Sequence, residues 1–430
     1  MRLKREHIIM LMLTLTFASE IGHGILTHQL GTDEYGPVSV GEVVRGGILV
    51  LLLIHVLTHL RRPTSRMVLI AFGMIVLLVL LQALFFKLNV VEIIQTVLYG
   101  LRWLYVWFVM EFVSWQVVKA QIPLERLVTR IKVLIVLFYS IPIFLAAFGI
   151  VGYTTYDIGN VRQGYVGLVM NNNVVASVFV LLLPFFLQCR SLRDVTLLAA
   201  FAGGALLLGS KLVYAAFAVT LGIWAVSKVA GWLFKMKLAV RWHVKRFRLV
   251  AVILALMLVT LMPFTPYAQR IIGIVNGLAD SFAWQAATRA NSPTGVIDTL
   301  TSDRTYGIYR LTEWLQQEAT PLAIMIGRGQ LGYRQLYAEL DWIDLMGWGG
   351  IVGVVGFASI LLYWLWRLFR TRQRPFGRET LAMLMLSAGC SLVAGHTYDN
   401  SMVGIVVGTI LGCFLAVDLQ RNRFENYARL

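Results

Sequence analysis

Charge is scarce in this chain. Only 14% of its 430 residues are Asp, Glu, Lys or Arg, and 58% are hydrophobic. In soluble domains roughly a quarter of residues are charged, so an ordinary soluble domain is excluded. Cysteine is nearly absent: Cys189 ends one apolar run, and Cys390 and Cys413 lie within two late ones. That leaves neither a disulfide framework nor a metal-ligand spacing. Strict apolar–polar alternation, the mark of a membrane β-barrel, is missing. So is an internal repeat, and many transporters are built from repeated halves.

What the chain has instead is a series of apolar runs, each long enough to cross a ~30 Å hydrocarbon core as a helix. They predict an all-α, polytopic integral membrane protein with about twelve transmembrane helices, a single membrane domain over 1–430. The expected spans centre on Ile8–Leu26, Glu42–Leu60, Met67–Phe86, Val91–Phe112, Val133–Gly152, Val174–Cys189, Val195–Gly209, Leu212–Val226, Leu249–Phe264, Met346–Trp366, Leu381–Gly395 and Met402–Ala416. The basic N-terminus resembles a signal peptide, but it reads as a first uncleaved span because others follow.

The net charge of +16 does not mark a nucleic-acid partner, because its placement follows the spans. Of 38 Lys and Arg, 27 fall in seven short breaks on alternate sides of successive spans. By the positive-inside rule these breaks, and both termini, face the cytoplasm. On the opposite side one segment dominates: Thr265–Leu345, 81 residues with six arginines, Arg270, Arg289, Arg304, Arg310, Arg328 and Arg334. It predicts a large, partly helical periplasmic loop at 265–345, and cations on that side point to an anionic ligand.

Within the loop, Arg304–Glu318 predicts an amphipathic helix, capped by Ser302 or Asp303 and stopped by Pro321. Ile308, Leu311, Trp314 and Leu315 form its apolar stripe. Gly327, Gly329 and Gly332 spell GxGxxG without the strand–helix unit of a dinucleotide site, so a tight turn bringing backbone amides to a substrate is the expectation. Glu339, Asp341 and Asp344 follow closely, and solvation, ion pairs to Arg328 or Arg334, and general-base work are all open to them. On a helix Asp341 and Asp344 share a face that Glu339 does not, which leaves the base undecided between Glu339 and Asp344.

Ionisable residues at membrane depth face a bundle interior or a wet cavity. Glu20, Glu92 and Glu111 read as ion-pair members or span-end residues, while Arg102, near the middle of its span, is equally an ion pair or one wall of a diphosphate site. Lys211, between two spans on the outer side, reads as a phosphate ligand or a snorkelling lysine, and His396 as an interfacial histidine.

Together these segments resemble the O-antigen ligase and O-antigen polymerase superfamily of bacterial envelope glycan enzymes. Gly164–Ala176 (GYVGLVMNNNVVA), with Asn173 in its asparagine run, is similar to the family's Gly-aromatic…Asn-x-Asn-x-x-Ala motif. Leu208–Lys211 is similar to its Ser-Arg motif with Lys for Arg, and Ser302-Asp303-Arg304 followed by Trp314 to its second arginine motif. Ile326–Gln330 resembles its Gly-x-Gly turn; Glu339, ten residues and then Gly350-Ile351-x-Gly353 resembles the motif in which a ligase carries His. The resemblance runs from Gly164 to the C-terminus.

The resemblance implies a metal-independent, cofactor-free glycosyltransferase of the bacterial inner membrane, its active site facing the periplasm. The donor would be an undecaprenyl-diphosphate-linked glycan, the acceptor a lipid-linked repeat unit, with a chain-length regulator as accessory partner. Lys211 and Arg304 would stabilise the leaving diphosphate, with Glu339 as general base. Arg102, Asn173, Arg310, Arg328, Arg334, Asp341 and Asp344 would bind substrate. Glu in place of the ligase His, and the Glu-x-Asp-Trp-x-Asp pattern, resemble the polymerase side. The alternatives are a ligase acting on lipid A core or protein, and a transporter of lipid-linked sugars.

Overall fold

The computed structural model describes residues 5–30, 40–154, 157–158, 161–162, 164–169, 171–220, 273, 276, 305–336, 340–393, 395, 397–398 and 400–427. Among the described residues the chain is mostly helical, and seven helices are long and apolar enough to cross a membrane. The chain divides into two compact units, Met1–Leu134 with Gln285–Leu430, and Ile135–Trp284.

In chain order, the first unit opens with α1 (Arg5–Leu30), α2 (Val40–Thr58), α3 (Pro63–Phe86), α4 (Val90–Ala120) and α5 (Leu124–Ile135). The second unit holds α6 (Ile141–Ala147), the short strands β1 (Tyr153–Thr154), β2 (Asp157–Ile158), β3 (Val161–Arg162) and β4 (Tyr165–Gly167), then α7 (Asn172–Phe186), α8 (Leu192–Leu207) and α9 (Lys211–Thr220). The first unit resumes with α10 (Thr305–Glu313), α11 (Pro321–Ile326), α12 (Gln330–Leu336), α13 (Asp341–Thr371), α14 (Gly377–Val393) and α15 (Ser401–Tyr427).

The first unit is built around α4. Its start is fixed by a capping box: the Asn89 side chain accepts from the Glu92 amide, and Glu92 accepts in turn from the Asn89 amide, both at 2.9 Å. That accounts for Glu92, which caps the helix at its end. From Tyr99 to Val117 nearly every residue is buried, and a helix apolar all round belongs inside a bundle. α15 covers one side of it. Gly404, Gly408 and Gly412 recur at four-residue spacing along α15; a Cβ at 408 or 412 would collide with the Val106 or Met110 carbonyl of α4. Small residues at that spacing let two backbones approach closely.

Several charges in this unit are paired. Arg62 Nη1 lies 2.7 Å from Glu111, which also accepts from Ser65 Oγ at 2.7 Å. Glu20 pairs with Arg45, and Asp418 of α15 is held by Arg367 and Arg374. Glu6 of α1 takes Arg126 at 3.3 Å and Arg130 at 3.0 Å. These two arginines, which the sequence places in a break between spans, lie on α5, because the fifth apolar helix runs from Leu124 to Ala147 through a π-helical turn at Val136–Ser140.

In the second unit, β1 pairs with β4 and β2 with β3, both antiparallel. Asn171 caps α7 by accepting from the Val174 amide at 3.2 Å. Gly164 sits so close to the Leu208 carbonyl that a Cβ there would collide with it. That contact brings the asparagine-rich motif's leading glycine against the turn that precedes Lys211. The expected span Leu249–Phe264 lies outside the described residues.

Candidate functional site

The site grows from a broken helix. α13 is interrupted at Gly350, whose φ of 61° and ψ of −159° only glycine adopts readily. The break withdraws carbonyls from the helical ladder, and the GxGxxG segment answers them. The Arg328 amide donates to Gly347 O at 3.0 Å and the Gly329 amide to Trp348 O at 3.1 Å. Gln82 of α3 donates to Trp348 O at 2.7 Å and to Ile326 O at 2.6 Å. Irregular backbone at membrane depth is tolerated where such partners exist. The turn's amides, expected to meet a substrate, are therefore spent on α13.

This knot also sets α12 against α4. The Gln330 amide donates to Thr96 Oγ1 at 3.0 Å, and Trp348 Nε1 donates to Thr96 O at 3.0 Å. Gln330 and Arg334 thereby come to lie over the first turns of α4, where a cavity of about 610 Å³ opens, within the size range of ligand pockets.

Three arginines line the cavity: Arg45 from α2, Arg102 from α4 and Arg334 from α12. Arg102 Nη2 lies 3.2 Å from Glu42 Oε1, and Arg45 is paired with Glu20. Arg334 Nη2 donates to the neutral Gln95 Oε1 at 3.3 Å. With Glu42 the one carboxylate among the lining residues, the lining carries net positive charge. Tyr99, Tyr105 and Asn400 complete the polar lining; Tyr105 donates to Arg45 O at 3.2 Å and Asn400 Oδ1 accepts from the Met402 amide at 2.9 Å. Fixed guanidinium groups beside amides and phenols suit an anionic, hydroxyl-rich ligand.

Of the residues expected to bind substrate, Arg102 and Arg334 meet in this cavity. Arg102 is an ion-pair member, one of its two readings, and it also lines the cavity. Arg328 is elsewhere, half-buried with its guanidinium 5.8 Å from the Phe86 ring centre, and Arg310 is exposed on α10. Asp341 and Asp344 share the first turn of α13, and both are fully buried. The Asp341 carboxylate accepts from the Thr397 amide at 3.2 Å and the Tyr398 amide at 3.1 Å. It ties the α14–α15 connection to α13, so packing occupies a side chain expected at the substrate. Tyr398 is buried beneath it and hydrogen-bonded to Ser387; burial pushes its phenol above the ordinary range.

In the second unit, Lys211 begins α9 and Asn173 lies in the first turn of α7, both half-buried. The neighbouring Asn172 Oδ1 is buried without a hydrogen-bond partner among the described residues. Arg304, Glu339 and His396 lie outside the described residues. Among the described residues no three His, Cys, Asp or Glu side chains group as a metal site.

Sequence reasoning passed over Arg45, Glu42, Gln95 and Gln330. The signal was weak: Glu42 and Arg45 sit three residues apart at the start of an apolar run, whereas Arg102 interrupts the middle of one. No protein-family model and no curated protein matches this chain.

Proposed function

We propose that this protein is a membrane glycosyltransferase that polymerises undecaprenyl-diphosphate-linked oligosaccharide units. The observation that carries the proposal is the cavity holding Arg45, Arg102 and Arg334 beside Gln95, Gln330 and Asn400. Its charge and its planar hydrogen-bonding groups suit a phosphorylated glycan. The topology that goes with the proposal has about twelve spans, cytoplasmic termini and this cavity at the periplasmic end, in the inner membrane of a bacterium.

In the reaction, the acceptor hydroxyl gives its proton to a carboxylate and its oxygen bonds to the anomeric carbon of the donor chain. The bond from that carbon to the diphosphate oxygen breaks, and the electron pair leaves with the lipid diphosphate. Cations are needed where that charge develops. By resemblance Lys211 and Arg304 supply them and Glu339 takes the proton, with Arg102 and Arg334 holding the glycan.

The test is purified protein in liposomes containing only an undecaprenyl-diphosphate-linked repeat unit. A ladder of longer lipid-linked glycans is expected, and Arg304→Ala should abolish it while the protein stays folded. Transfer only after lipid A core is added makes the protein a ligase. Movement of the lipid between leaflets without any transfer makes it a transporter.

A further inference from the structure

The segment from α10 to α11 has two apolar faces, and protein covers only one. Trp314 and Ala323 point inward and are buried against Leu336, Leu340 and Ile343. Ile308, Leu315, Leu322 and Met325 point away from that core and remain 45%, 38%, 36% and 48% exposed. Ile308 and Leu315 lie seven residues apart across α10 and the π-helical turn at Trp314–Glu318, and Leu322 and Met325 lie three apart on α11, which starts anew after the N-cap at Thr320. Glu313 and Gln317, four residues apart, are exposed on another side, while Thr312, one turn after Ile308 and bonded to its carbonyl, borders the apolar side. A helix with separate apolar and polar exposed faces belongs at a boundary between hydrocarbon and water.

The place of the segment in the fold says which boundary. Gln82, one turn before the end of α3, donates to Ile326 O at the end of α11, and Phe86 packs into the core that α10 and α11 share. Beside Gln82, Leu84 and Phe85 of the same apolar helix are 72% and 54% exposed. The uncovered stripe therefore continues a surface that belongs to a span-length apolar helix, at the level of that helix's last turn. Lipid covers the one, so lipid covers the other.

We infer that Thr305–Ile326 lies along the membrane surface at the end where α3 finishes. Ile308, Leu315, Leu322 and Met325 are seated among the acyl chains of that leaflet, and Arg310 stands at the depth of the lipid phosphates. The segment is an in-plane anchor. It fixes the height of α12, and with it Arg334, relative to the bilayer.

Two measurements on protein reconstituted in phosphatidylglycerol–phosphatidylethanolamine liposomes test this. The first uses spin labels on Ile308→Cys, Leu315→Cys and Leu322→Cys, with Glu313→Cys and Gln317→Cys as controls, after replacing Cys189, Cys390 and Cys413. Oxygen collision relative to a water-soluble nickel relaxant should be several-fold higher at 308, 315 and 322 than at 313 and 317. Equal nickel accessibility at all five places the segment in water and overturns the inference. Exclusion of both relaxants at 308, 315 and 322 means protein covers the stripe, which also overturns it. The second measurement needs no substitution: hydroxyl-radical oxidation of Met325 should be several-fold slower in detergent-free liposomes than in a short-chain detergent. An unchanged rate counts against lipid seating even if the labelled variants fail to fold.

Discussion

At Asp341 the carboxylate accepts two backbone amides inside the protein. Asp341→Ala would leave both without an acceptor, at about 1–3 kcal/mol each. Thermal unfolding in detergent should show a clear loss, with Asp341→Asn milder because one acceptor oxygen remains. Loss of elongation with unchanged unfolding would instead give the carboxylate a part in the chemistry. Tyr398, beneath it, carries a pH dependence. Its phenol titrates higher folded than unfolded, so its stabilisation is complete below the ordinary value of 10.0 and is lost as pH rises through the folded value. Stability should fall in strongly alkaline buffer, and Tyr398→Phe should flatten that fall. In the cavity, Arg334→Gln should lower elongation by about 10²-fold without moving the unfolding midpoint, since only neutral Gln95 receives its hydrogen bond among the pairs described. Arg102 was legible because it interrupts an apolar run; Arg45 and Glu42 were not, because near the start of a run they read as interface residues. Their partners lie on other helices, and distance along the chain hides such pairs.

Among the elements, the break in α13 is the feature most open to test. Gly350→Ala adds a Cβ at positive φ and drives it into the Gly327 amide and the Ile324 carbonyl. The strain alone is worth about 1–3 kcal/mol, so the variant should unfold well below the parent, and elongation should fall with it as α12 shifts. The glycine spacing was visible in sequence; its use was not, because the carbonyls it serves appear only once α13 is interrupted. The helix expected over Arg304–Glu318 is present from Thr305, but it passes into a π-helical turn and its outward side carries Ile308 and Leu315. The stop expected at Pro321 is there: Ala319 and Thr320 before it are extended, and Pro321 itself opens α11, capped by Thr320, where a missing amide hydrogen costs nothing.

For the molecule as a whole, the apolar runs announced the helices because the period of a span is set by bilayer thickness rather than by any partner. How those helices pair depends on a few residues far apart in the chain. Asp418 is one, holding Arg367 and Arg374 where α13 passes α15. Asp418→Asn should cost roughly 1–3 kcal/mol, below the loss for a fully buried pair because both arginines reach solvent. A detergent-unfolding midpoint that does not move would remove the clamp from the account. The glycine-lined seam between α4 and α15 has a different consequence, in time. Chains are made from the N-terminus, so α4 leaves the ribosome long before α15 exists. Until then the flank that meets those glycines, with Val106, Val109 and Val113, has no final neighbour on that side. The bundle is therefore completed last at its centre, and a nascent chain that stalls before Ser401 exposes to lipid the face that the finished protein hides most completely.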